Sequence, residues 1–73
     1  MHYVIRTYAT MAVDELARGD MGHFLASLSS LHGVMSAALL IYNDGATALQ
    51  VEHTINALQD LRNATQLARC RHC

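Results

Sequence analysis

Residues 21–43 read MGHFLASLSSLHGVMSAALLIYN, a run of about 23 positions without a single Asp, Glu, Lys or Arg. A helix of that length, uncharged on every side, is either enclosed by other helices or crosses a bilayer, so this stretch decides the architecture. At 100° per residue it has two distinct sides. Phe24, Leu28, Leu31, Met35, Ala38 and Tyr42 fall in one narrow stripe at alternating spacings of four and three, the pattern of a helix–helix seam. Opposite them Gly22, Ala26, Ser29, Ser30, Gly33 and Ala37 form a strip of small residues, which lets a second backbone approach closely.

Outward from this segment, Asn43-Asp44-Gly45 is the clearest break in the chain. Gly45 suits a left-handed position after a helix, and Thr47 followed by Gln50 reads as a capping box for the next helix, with Asp44 as the other candidate cap. Arg18-Gly19-Asp20 is a softer break, where glycine weakens the helix and Asp20 can cap a new start. Three helices result, over about residues 5–17, 21–42 and 48–69, followed by a frayed tail at 70–73. Residues 2–8 are rich in β-formers and suit a strand as well, but a lone strand has no partner within the chain, so helix is favoured.

The last helix is amphipathic. Ala48, Val51, Ile55, Leu58, Leu61, Thr65 and Ala68 share one side, while Glu52, His53, Asn56, Asp60 and Asn63 share the other. Folded back over the Asn43 turn, it covers one flank of the central helix and leaves the second flank to the first segment or to another subunit. The expected fold is therefore all-α, one small domain spanning 1–73: a helical hairpin with an extra N-terminal segment, paired into a homodimeric bundle. Phe24, Leu28, Leu31, Met35, Gly33 and Ala37 are the expected dimer contacts.

Composition narrows the function classes. The chain has 73 residues, 52% hydrophobic and 15% charged, the reverse of a disordered segment. Its formal net charge is −1, and all five cations are arginines, which leaves no electrostatic footprint for wrapping nucleic acid. Arg62, Arg69 and Arg71 make the C-terminal end basic, a placement that complements the dipole of the last helix. The first 20 residues lack a secretory signal pattern, so a cytoplasmic location is expected. A single-pass membrane peptide spanning residues 21–43 is the alternative; His23, His32 and four serines within the span oppose it.

Chemistry-bearing residues are sparse. Cys70, His72 and Cys73 resemble half of a zinc site without a second half, so no metal is assigned unless an oligomer completes the ligand set. His23 and His32 are nine residues apart and no histidine pair stands at i, i+4. Asp14 and Glu15 are adjacent, and no serine has a base or glycine-rich elbow beside it, so no enzyme and no cofactor is expected. Leu49 and Leu67 project from the wet side of the last helix. Together with His32, Tyr42, Asn56 and Asp60 they form the expected partner-binding set. The resulting reading is a small non-enzymatic regulator of antiactivator, inhibitor or adaptor type, which occupies a surface of a larger protein. Small accessory proteins of phages and plasmids offer the analogy. A metal-linked or DNA-associated regulator is the third class.

Overall fold

The computed structural model describes residues 2–70, with side chains from Tyr3 to Ala68. It consists of α1 (His2–Ala17), α2 (Met21–Leu40) and α3 (Gly45–Cys70), with no strand among the described residues. The β-rich start is thus helical. Ile5, Ala12 and Leu16 are buried and Tyr8 packs against them, a spacing that gives α1 one face to set against the rest of the chain.

Two turns fix the path. After α1, Gly19 takes a left-handed conformation (φ 74°). Its N–H donates to the Leu16 carbonyl at 3.1 Å and that of Asp20 to the Glu15 carbonyl at 2.8 Å. This is the paired bonding that closes a helix on a left-handed residue, and a side chain at position 19 would be strained there. Asp20 then caps α2, accepting from the His23 N–H at 3.2 Å. After α2, the N–H groups of Ile41 and Tyr42 both donate to the Ala37 carbonyl (2.9 and 3.2 Å) and that of Asp44 to the Ala38 carbonyl at 2.8 Å.

At this second turn the structure takes the alternative cap that the sequence offered and differs in its left-handed residue. The left-handed residue is Asn43 (φ 50°), and Gly45 is already helical. Asp44 is the cap: its carboxylate accepts from the Thr47 N–H at 3.1 Å and also from the Thr47 hydroxyl. Thr47 is therefore the third residue inside the helix rather than its cap. Asparagine tolerates the left-handed region because its short amide bonds locally.

α1 and α3 both pack against α2 and touch each other less. The core between them is built from Ile5, Ala12 and Leu16 of α1, Phe24, Leu28 and Leu31 of α2, and Val51, Ile55 and Leu58 of α3, with Phe24, Leu31 and Val51 wholly enclosed. Four positions expected at an interface between copies, Phe24, Leu28, Leu31 and Met35, thus pack in the chain's own core, Met35 at its margin. A polar contact crosses it: the Ser27 hydroxyl donates to Glu15 Oε1 at 2.6 Å, both residues buried. The body measures 46 × 16 × 15 Å. Most of that length is α3, whose 26 residues extend about 39 Å at 1.5 Å each. Beyond Leu58, no described side chain of α3 is buried.

Candidate interaction surfaces

Packing α1 and α3 on one side of α2 leaves its other side bare. Leu25, Ser29, His32, Ser36 and Leu39 are all exposed, and they recur at spacings of four, three, four and three. That is the repeat of a second helix seam, about 100° round the helix from the one the core uses. Gly22, Ala26 and Gly33 lie beside it, also exposed. A Cβ added at Gly33 would meet nothing within 4 Å, so no part of the chain approaches α2 there. Ala37 is half-buried at the margin. The bare side holds no charged residue along the whole of α2.

At its C-terminal end this side continues into Leu39, Leu40, Ile41 and Tyr42, four consecutive exposed large side chains; Leu40 is 85% exposed. A contiguous exposed run of that kind is characteristic of surfaces that meet a partner or a membrane. Sequence reasoning included His32 and Tyr42 in the partner-binding set, but did not find the seam. The signal was present in the 4-3-4-3 spacing of residues 25 to 39, masked because serines and a histidine occupy its middle.

The outer side of α3 is the second surface. Leu49, His53, Asn56, Asp60 and Leu67 are exposed on it. Leu49 and Leu67 are 53% and 65% exposed. Leu49 borders a shallow depression shared with Ala46, Gln50, His53, Thr54 and Ala57, all of α3. Leu67 shares the helix face but stands about 27 Å further along, at 1.5 Å per residue over 18 residues. The expected partner-binding set is thereby divided: Leu49, Asn56, Asp60 and Leu67 stand along one line of α3 at spacings of seven, four and seven residues, Tyr42 belongs to the turn, and His32 belongs to α2. A separate small apolar groove runs between the end of α1 and α3, lined by Val13, Leu16, Ala17, Leu61 and Thr65.

Several of the charged residues have structural partners. Asp14 pairs with Arg18 at 3.2 Å on the exposed side of α1. Asp20 Oδ2 lies 2.6 Å from His23 Nδ1. The His23 backbone N–H, with the His23 ring and Arg18 acting in the same sense, holds the Asp20 carboxyl below the usual aspartate value against an opposing effect of burial. Arg62, read from sequence as part of a basic end, is half-buried; its Nε is enclosed without a hydrogen-bond partner, and its Nη2 reaches Asn63 Oδ1 at 3.5 Å. Among the described residues no three His, Cys, Asp or Glu side chains converge as metal ligands. The Cys70 side chain, His72 and Cys73 lie outside what the structure describes. No protein-family model, curated protein or solved structure matches the chain.

Proposed function

We propose that this protein is a small, non-enzymatic, cytoplasmic regulator that works as a homodimer and binds a larger protein through the outer side of α3, in the manner of an antiactivator, inhibitor or adaptor. The observation that carries the reading is the division of labour between two exposed helix sides. The bare side of α2 is uncharged along all 20 residues, which suits pairing with itself, because a two-fold interface sets each patch against its own copy and any net charge would meet its like. The outer side of α3 mixes exposed leucine with Asn56, Asp60 and His53, a composition suited to a partner of different chemistry.

The test is affinity capture from host cells with the wild-type chain and with Leu49→Asp and Leu67→Asp. Both variants are expected to stay folded and dimeric, since neither side chain contributes to the core, and to lose the captured protein. Retention by both would refute α3 as the binding surface.

One observation favours a second reading. Met21–Leu40 is long and apolar enough to cross a bilayer, with a mean hydropathy of 1.3 over its best window. In that reading the bare side of α2 meets lipid. Carbonate-resistant pelleting with membranes would support it and exclude the dimeric bundle.

A further inference from the structure

We propose that the end of the body where α2 turns into α3 is an anchoring tip, which inserts into the interface of a phospholipid bilayer without crossing it. The fold gathers this tip from two helices. α1 and α2 run antiparallel, joined at the Gly19 turn and bonded through Glu15 and Ser27. Tyr3 lies 12 residues before Glu15 and Leu39 lies 12 after Ser27, about 18 Å along each helix at 1.5 Å per residue, so the two stand level. Leu40, Ile41 and Tyr42 carry on past them. Leu40, Tyr3, Ile41 and Tyr42, at 85%, 81%, 74% and 67%, are the four most exposed large apolar side chains among the described residues, and the topology brings all four to one end.

Size, shape and charge commit the tip to lipid. The body's cross-section of 16 × 15 Å offers about 240 Å², far below the roughly 800 Å² per partner of a specific protein interface, so neither a second copy nor a larger protein is held by the tip alone. Leu39, Leu40 and Ile41 stand about 100° apart around the helix axis and fan over about 200°, whereas a protein groove reads one face of a helix. A fluid acyl phase meets every direction at once. Residues 2–12 hold Arg6 as their one Asp, Glu, Lys or Arg, and residues 32–51 hold Asp44 as theirs, its carboxylate engaged by Thr47. Arg6 is exposed, forms no ion pair among the described residues and lies about 4.5 Å behind Tyr3 along α1. With Leu40 and Ile41 among the acyl chains, the rings of Tyr3 and Tyr42 sit at headgroup level and the Arg6 guanidinium meets lipid phosphate. That order of apolar, aromatic and cationic groups matches the layers of a bilayer interface.

This anchor goes beyond the partner-binding reading and does not rest on it. The experiment is flotation of the full chain with phosphatidylcholine vesicles, for the wild type, for Leu40→Asp with Ile41→Asp, and for Leu67→Asp, with circular dichroism to confirm that each is folded. The wild type and Leu67→Asp, whose change lies at the far end of α3, should float. The double variant should lose about a hundredfold or more in partition coefficient, since Leu40 alone carries four hydrocarbon carbons into the acyl region. Leu40→Trp should show blue-shifted emission on vesicles, quenched by lipids brominated high on the acyl chain, and carbonate should strip the wild type from the membrane. A wild type that does not float, or a double variant that floats as well as the wild type, overturns the tip. Carbonate-resistant binding overturns it in favour of α2 spanning the bilayer. A double variant that loses a captured protein while the wild type ignores vesicles overturns it in favour of a protein contact; loss of the captured protein by Leu49→Asp and Leu67→Asp is read separately and leaves the tip untouched.

Discussion

Replacing Ser27 by alanine should damage this protein far more than its small volume suggests. Ser27 and Glu15 are buried against each other, 2.6 Å from hydroxyl to carboxyl oxygen, and they join α1 to α2. Removing the hydroxyl leaves a carboxyl group in the core without that donor. The penalty for an unsatisfied buried polar group is about 1–3 kcal/mol, and for a domain of this size each 1 kcal/mol lowers Tm by about 4–8 °C. Ser27→Ala should therefore melt roughly 8–16 °C below the wild type for a loss near 2 kcal/mol. Because the loss comes from the orphaned carboxyl, the companion change should reverse it: Glu15→Met with Ser27→Ala replaces both partners by apolar groups and should recover most of the stability. Urea denaturation followed by circular dichroism gives all four corners of the cycle, with a coupling of about 1–3 kcal/mol expected between the sites. A Ser27→Ala variant within about 0.5 kcal/mol of wild type, or a double variant no better than the sum of its singles, would refute the reasoning.

Two further outcomes follow from the charged residues. The Asp20 carboxyl is held below the usual aspartate value in the folded chain, so its contribution to stability is full above pH of about 4, the ordinary aspartate range, and fades as the pH falls below it. Asp20→Asn keeps a capping side chain without that titration; thermal melts from pH 6 to pH 2.5 should show a shallower acid loss for the variant, and parallel curves would count against the assignment. Arg62 encloses its Nε without a hydrogen-bond partner. Arg62→Met keeps the apolar stem while removing the orphaned donor, and should match or exceed the wild type in urea; a loss above about 1 kcal/mol would show that the guanidinium is stabilising where it lies.

The helices were legible because their signals are local. The periodicity of Phe24, Leu28 and Leu31 on one helix and of Val51, Ile55 and Leu58 on the other states which sides are dry, and both sets are buried. What periodicity does not state is who covers them. The stripe on α2 could be covered by a second copy or by α1 and α3 together, and the latter is what the single chain achieves, so the first segment supplies part of the enclosure. The Asn43 turn was misplaced by two residues for a related reason: glycine is the commonest left-handed residue, but here Asp44 captures both the N–H and the hydroxyl of Thr47, and the backbone must turn one step before it. The buried pair of Glu15 and Ser27 had no signal in one dimension. The seam from Leu25 to Leu39 did have one, hidden by the polarity of its central residues.

The last part of α3 runs past the core with no buried side chain after Leu58. Past Thr65, which lines the groove against α1, its amide hydrogens have no tertiary shield among the described residues, so they should exchange with solvent on the timescale of helix opening alone, far ahead of those facing Phe24 and Leu31. A binding event there would be recorded as slowed deuterium uptake over residues 66 to 68. The overhang thus turns the end of α3 into a built-in reporter of occupancy, readable by mass spectrometry without labelling the protein.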